Sequence, residues 1–441
     1  MRQLHPLLGI LIVLVSFFLL ELCMWYIDES LLTISEEVIE NFSENWESTT
    51  IAKIIKWYNY YGFIIINALC AGYVLASGPK IAQMLWVNSL SLGITLSALL
   101  GAVYHKLRPS WKKQSIPILR NHEDYGYPSF SVTIAGCIMV GTLLLYLSNN
   151  FDFCLNDLEK NMLKKTRSSF IYFPALKIAI TFLALILYSF LVFSEIYIGS
   201  HTIGQVLHGL FLSLLCVCIP FVIFRISLGD YYKTVLSKPP SLRQSIIILI
   251  VISFTIALVG GVIYGVMRGL DIKIDEEYIQ HIREEIPGFT ANTPLNTALI
   301  HAGLGFLAIG AHLGLLLFPV IQDIDPIQIS APTSFVFKII RLIFVLFMIL
   351  PLPFVAIIFL SFSPVTLLVW FKSVIPSAFF GFFYFFMADS LMKRLGLLPK
   401  AEGKDKGNKV APDVIAKEVK IDSSRNAAAP TPSNETLREK S

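Results

Sequence analysis

The chain has 441 residues, 55% of them hydrophobic and 15% charged, with a mean hydropathy of +0.67 and a formal net charge of +4. A soluble domain carries roughly 45–50% apolar and about 25% charged residues, and a disordered chain is poor in apolar residues, so both classes are excluded. Apolar runs of about 20 residues, the length that crosses a bilayer core, make this a polytopic membrane protein.

The runs lie at residues 6–26, 60–78, 82–104, 130–149, 170–193, 204–225, 245–266, 297–320, 342–360 and 365–387. They predict an all-α helix bundle of about ten spans. The first follows a short Met-Arg-Gln-Leu-His lead and has no small-residue cleavage site, which reads as a retained anchor. Pro174, Pro220, Pro319, Pro351 and Pro353 fall in or beside spans, where membrane helices tolerate kinks.

Short-loop lysines and arginines set orientation. Lys80, Lys160, Lys164, Lys165, Arg167, Arg225, Lys233, Lys238, Arg243, Lys338 and Arg341 collect on one side, and the acidic stretches Asp28–Glu47 and Asp275–Glu285 on the other. The basic side is expected in the cytosol together with both termini, and the acidic loops in the lumen. Asn41-Phe42-Ser43 is then an N-glycosylation acceptor on the lumenal side, so the chain is expected to be a glycoprotein. One loop disobeys: His105–Tyr127 is expected in the lumen yet carries Lys106, Arg108, Lys112, Lys113 and Arg120. Its misplaced positive charge predicts anion binding.

The polar tail 393–441 predicts cytosolic disorder. Cys23, Cys70, Cys137, Cys154, Cys216 and Cys218 lie mostly in apolar runs without CxxC spacing, as small buried hydrophobes. No metal-ligand spacing and no nucleic-acid signature is present, and no cofactor is implied. In the eighth span His301 and His312 stand eleven residues apart, about three turns, and are expected to face the same way. Gly303, Gly305, Gly310 and Gly314 mark that span as a close-packing helix; a proton or solute pathway is the alternative.

Three stretches on the acidic side carry the chemistry. They are His105-Lys106-Leu107-Arg108-Pro109-Ser110-Trp111, then Glu123-Asp124-Tyr125-Gly126-Tyr127-Pro128-Ser129-Phe130-Ser131, then Ser194-Glu195-Ile196-Tyr197-Ile198-Gly199-Ser200-His201-Thr202-Ile203-Gly204-Gln205. Together they predict an anion pocket, with Arg108 as a bidentate fork and the backbone N–H groups after Pro128 plus the Ser129 hydroxyl as a phosphate-binding helix start. Ser129 is equally an N-cap. His201, Gln205 and His208 share a helix face if the sixth span begins that early.

These stretches resemble the phosphatidic acid phosphatase type 2 superfamily, most closely its sphingosine-1-phosphate phosphatase branch. That family shows Lys-x6-Arg-Pro, then Pro-Ser-Gly-His or a variant, then Ser-Arg-x5-His-x3-Asp; Arg108-Pro109, Pro128-Ser129 and Ser194 to His201 follow in order. The resemblance implies a six-helix phosphatase-like core over 60–226. An anchor helix and lumenal loop precede it at 1–59, four C-terminal membrane helices follow at 227–392, and the cytosolic tail is 393–441. It further implies an endoplasmic reticulum membrane protein whose substrate is a lipid phosphate monoester, such as a sphingoid-base 1-phosphate. His201 would be the nucleophile, Gln205 its orienter, and Arg108 and Ser129 the phosphate ligands.

Four positions depart from the pattern: Gly101 for the first lysine, Ser131 for the second-block histidine, Glu195 for the third-block arginine and Gln205 for the final aspartate. The family residues leave about +2 around the phosphate, whereas Arg108 against Glu195 leaves about zero, and a like charge 5–6 Å from a dianion costs roughly 3 kcal/mol per charge product. Losing the general acid costs a further ~10²–10⁴ in rate. Lys106, Lys112, Lys113 and Arg120 are candidates to restore charge, and His105 or His122 to donate the proton. The alternative is an inactive pseudophosphatase, its anion site filled by an Arg108–Glu195 salt bridge, that binds a lipid or a membrane partner.

Overall fold

The computed structural model describes residues 6–46, 49–78, 80–119, 122–147, 174–237, 242–270, 274–321, 335–349 and 368–396. Every regular element among them is helical. The order is α1 (Pro6–Trp46), α2 (Thr50–Trp57), α3 (Phe63–Ser77), α4 (Lys80–Tyr104), the single turn α5 (Pro109–Lys112), α6 (Phe130–Leu147), α7 (Pro174–Tyr197) and α8 (Ile203–Cys218). There follow α9 (Arg225–Ser237), α10 (Leu242–Gly269), α11 (Glu276–Glu285), α12 (Thr293–Leu304), α13 (Leu307–Ile321), α14 (Phe335–Ile349) and α15 (Leu368–Arg394).

Among the described residues nine helices are long and apolar enough to cross a membrane, and they match nine of the expected runs. Most of the run 342–360, and the tail from 397, lie outside the described residues. The apolar side chains of α1 (Leu7, Leu11, Leu14, Phe18) and α10 (Ile250, Val251, Phe254, Leu258) face outward. In a bilayer those surfaces meet lipid, where outward leucines carry no penalty.

The acidic stretch after Tyr26 is not a loop: α1 runs unbroken to Trp46. Met24, Asp28, Ser35 and Ile39 are buried along it, spaced as one helical stripe, so the acids continue an amphipathic helix laid on α8. The second acidic stretch also forms a helix, α11, with Ile279 and Ile282 buried against Trp111 and Phe289. Both cover the loop 105–119.

The main apolar core is shared by α3, α4, α6, α8, α13 and α15, around Trp86, Leu145, Leu212, Leu315 and Tyr384. The small-residue packing read in the eighth span is present: a Cβ on Gly314 would stand 2.6 Å from the Phe382 carbonyl oxygen of α15. That span is broken, however. α12 ends at Leu304 and α13 restarts at Leu307, so His301 and His312 do not share a face. His312 accepts from the Tyr232 hydroxyl through Nε2 (2.7 Å) and donates through Nδ1 to the Ala308 carbonyl (2.7 Å), deep among the C-terminal helices. His301 goes to the site described next.

Candidate functional site

The three stretches converge. α5 begins at Pro109, whose ring suits a first helical position, and this leaves Arg108 as the extended residue before it, buried to 1% exposure. α7 ends in a turn where Gly199 takes φ +69°, a left-handed conformation that favours glycine, and its carbonyl accepts from the Ser110 N–H (3.3 Å). This turn delivers His201 onto Arg108.

The guanidinium is heavily engaged. Its Nε donates to the Asp124 carbonyl (2.9 Å), Nη1 to the Ser200 carbonyl (3.1 Å) and to His201 Nε2 (2.9 Å), and Nη2 to Asp124 Oδ1 (2.6 Å). The tautomer of His201 follows from its neighbours. Nδ1 faces the Gly126 carbonyl at 2.8 Å, which only accepts, and Nε2 faces a guanidinium, which only donates. The proton is therefore on Nδ1 and the lone pair on Nε2.

The expected partner of Arg108 was Glu195; the carboxylate hydrogen-bonded to it is Asp124. Glu195 is fully buried, accepts from the Ser131 hydroxyl through Oε1 (2.7 Å) and places Oε2 3.8 Å from His201 Nε2. Ser131 and Glu195, two of the four positions that depart from the expected motif, are thus hydrogen-bonded to each other.

Gln205 does not orient His201; the Gly126 carbonyl does. α8 starts at Ile203, so His201 precedes it and the expected three-residue stripe does not form. Gln205 closes a capping box with Thr202: its Oε1 accepts from the Thr202 N–H (3.0 Å) and its N–H donates to the Thr202 hydroxyl (3.1 Å). Ser129 is buried among the three stretches, but its N–H donates to the Gln205 carbonyl (3.0 Å), so that donor is already used. Its hydroxyl lies 3.4 Å from that of Ser131.

The basic loop finds its counter-charge within the chain. Lys106 pairs with Asp28 (2.5 Å), and Lys113 with Glu40 (3.1 Å) and Glu36 (3.4 Å), all on α1. Arg120 lies outside the described residues. The anion the loop was expected to bind is supplied, for these two lysines, by carboxylates of the first helix. His208, in α8, likewise donates from Nε2 to Glu21 (3.0 Å), which also accepts from the Tyr104 hydroxyl (2.7 Å).

Beside Arg108 lies a cavity of about 400 Å³. Arg108, His122, Glu123, Asp124, Ser131 and His301 supply its polar lining, and Phe63, Phe130 and Ile134 the apolar part. Asp124 is its charged centre, with His122 Nδ1 at 3.8 Å and His301 Nδ1 at 4.0 Å. Burial raises the Asp124 pKa, but Arg108, His301 and His201, with the Arg108 hydrogen bond, more than offset this and hold it below the usual carboxylate range. His301 stacks on Phe130, centroids 4.1 Å apart and planes 7° apart. Of the two candidate proton donors, His122 lines the cavity, while the ring of His105 faces Tyr125. His201 does not line it.

Asp124 is the residue that sequence reasoning missed: it stood inside a quoted stretch without a role. His301 was singled out for helix packing or a pathway in its own span, not for this cavity. Among the described residues no group of three or more His, Cys, Asp or Glu is arranged to hold a metal ion. Compared with known proteins, the chain matches no family model, no curated protein and no solved structure.

Proposed function

We propose that this chain is a lipid-phosphatase-like membrane protein whose pocket binds a lipid or a membrane partner and no longer transfers phosphate. One observation carries the reading: Nε2 of His201, the nitrogen that would attack phosphorus, accepts a hydrogen bond from Arg108 at 2.9 Å with the Glu195 carboxyl at 3.8 Å. A near-attack geometry needs phosphorus about 3–3.5 Å from that lone pair. The space is taken, and the neighbouring carboxylate repels a phosphate dianion. Pulling Arg108 away would also strip Asp124 of its buried partner, a cost of roughly 3–5 kcal/mol.

A second reading, slow hydrolysis of a sphingoid-base 1-phosphate or similar monoester, is favoured by the tautomer alone. With Nδ1–H held by the Gly126 carbonyl, the Nε2 lone pair is the one a nucleophile requires. The two readings separate in one assay. Purified protein in detergent is given phosphorylated sphingoid base, and phosphate release is compared between wild type and His201→Ala. Equal release from both is expected; release that His201→Ala abolishes would establish hydrolysis instead.

The same reading puts the pocket on the lumenal face of the endoplasmic reticulum with both termini in the cytosol. Asn41, exposed near the end of α1 that pairs with the basic loop, supports it. A mobility shift on glycosidase treatment that Asn41→Gln removes is the expected outcome.

A further inference from the structure

We infer that Glu21 and His208 form a proton-binding site inside the helix bundle, at which His208 takes a second proton on Nδ1 and becomes an imidazolium paired with the Glu21 carboxylate. Neither residue lines the cavity beside Asp124, and neither reading of that cavity bears on the site. Both belong to helices among the candidate spans, where an ionisable side chain is costly and marks a functional position by default. Glu21 accepts on both oxygens: Oε1 takes the His208 Nε2–H at 3.0 Å and Oε2 the Tyr104 hydroxyl at 2.7 Å. With Nε2 donating, the neutral ring keeps its lone pair on Nδ1. That atom is buried with no hydrogen-bond partner among the described residues. The Tyr127 hydroxyl is buried and unpartnered too, and its ring lies beside His208, centroids 4.6 Å apart. A hydroxyl accepts as well as donates, so Tyr127 supplies, after a small side-chain movement, the acceptor that a protonated Nδ1 needs.

The elements packed around the pair bring few other charges. α1 brings Glu21 and Asp28, α4 Tyr104, and the loop Tyr127 and Lys106. α7 brings Glu195, which is turned to Ser131 and His201, and α6 carries no Asp, Glu, Lys, Arg or His. Lys106 is paired with Asp28 at 2.5 Å and stands 5.0 Å over the Tyr127 ring. The charged group hydrogen-bonded to the imidazole is thus the Glu21 carboxylate, and a charge-assisted bond is stronger than a neutral one. A buried ion pair is stable only when its remaining polar atoms are satisfied; Tyr104 does this for Glu21 and Tyr127 for Nδ1. Proton uptake turns a hydrogen bond between α1 and α8 into an ion pair, so the contact of these two helices changes with pH.

The test is a pH titration of detergent-solubilised full-length protein carrying nitrogen-15-labelled histidine, in which NMR counts the protonated nitrogens of each ring. The chain has 8 histidines, few enough to follow singly. Between about pH 8 and about pH 5, the range in which histidine changes charge, one ring is expected to pass from one protonated nitrogen to two. That ring is expected to be missing from His208→Gln. Glu21→Gln keeps an acceptor but removes the charge, and is expected to lower the ring's proton affinity at least about tenfold, a shift of about one pH unit or more. Tyr127→Phe, which removes the acceptor for Nδ1, is expected to lower it about threefold. A His208 ring that holds the same number of protons across the range overturns the inference, as does an unchanged midpoint in Glu21→Gln. Where His208→Gln fails to fold, the ring is assigned by its shift in Glu21→Gln, and the absence of any shifted ring overturns the inference as well.

Discussion

Two charged clusters are built on the loop 105–127, and the cavity of about 400 Å³ lies beside one of them. The first joins Arg108, Asp124, His201, Ser131 and Glu195 beside the cavity. The second joins Glu21 and Asp28 of α1 to Tyr104, Lys106, Thr202 and His208. In the second, each acid meets a core donor across the helix interface, so its charges fasten α1 to the bundle. In the first, polar groups are spent on one another and still leave a lined cavity. Buried charge near a membrane surface is therefore a poor guide to a ligand until the counter-charge is located, and for Lys106 that lies 78 residues away in sequence.

The largest expected effect breaks the first cluster. Arg108→Met leaves Asp124 buried without its guanidinium and should cost roughly 3–5 kcal/mol in detergent unfolding. Asp28→Asn should cost only about 1 kcal/mol, because Lys106 keeps 28% exposure and can turn to solvent. Equal losses would erase the distinction between the clusters. The acid limb gives a second measure. The Asp124 carboxyl is held below its unfolded value, so its stabilisation is fully present above about pH 3.9 and is lost as pH falls through the lower, folded value. Asp124→Asn should flatten stability against pH in that window.

Next in size is the contact between α1 and α8. A Cβ on Gly204 would lie 2.7 Å from the Asp28 Cα, against backbone that has no rotamer to change. Gly204→Ala should cost about 1–3 kcal/mol by overpacking and expose α1 to limited proteolysis. Unchanged cleavage of α1 would mean that the second cluster does not fasten it.

Much of this was legible. Nine helices long and apolar enough to cross a membrane, and the contact of Arg108 with His201, follow from apolar run length and three short stretches. The length of α1 was hidden because its charges read as a loop, while the buried stripe through Met24, Asp28, Ser35 and Ile39 includes two polar residues. Spacing alone put His301 and His312 on one face, and the break after Leu304 parts them. The Thr202–Gln205 capping box was visible as a local pattern, yet the family resemblance drew Gln205 toward His201. Asp124 had no sequence signal beyond its place inside the second stretch, since an ion pair across a fold has no spacing rule.

The smallest expected effect belongs to Lys113. Burial lowers its pKa, but its hydrogen bond and attraction to Glu40 and Glu36 raise it further, so the ammonium stays charged beside α1. Its side chain is one-third exposed, and exposed pairs contribute about 0–1 kcal/mol and are screened by salt. Lys113→Ala should therefore shift the unfolding midpoint little, and less still in high salt. The loop has another anchor: Trp111 is fully buried against Phe289, ring centroids 5.1 Å apart, under the apolar face of α11. If Lys113→Ala instead loosened the loop as much as Arg108→Met, the ion pairs to α1 would be holding the pocket's rim. The two clusters would then be one cooperative unit, since apolar packing at Trp111 would have failed to carry the load that its burial assigns to it.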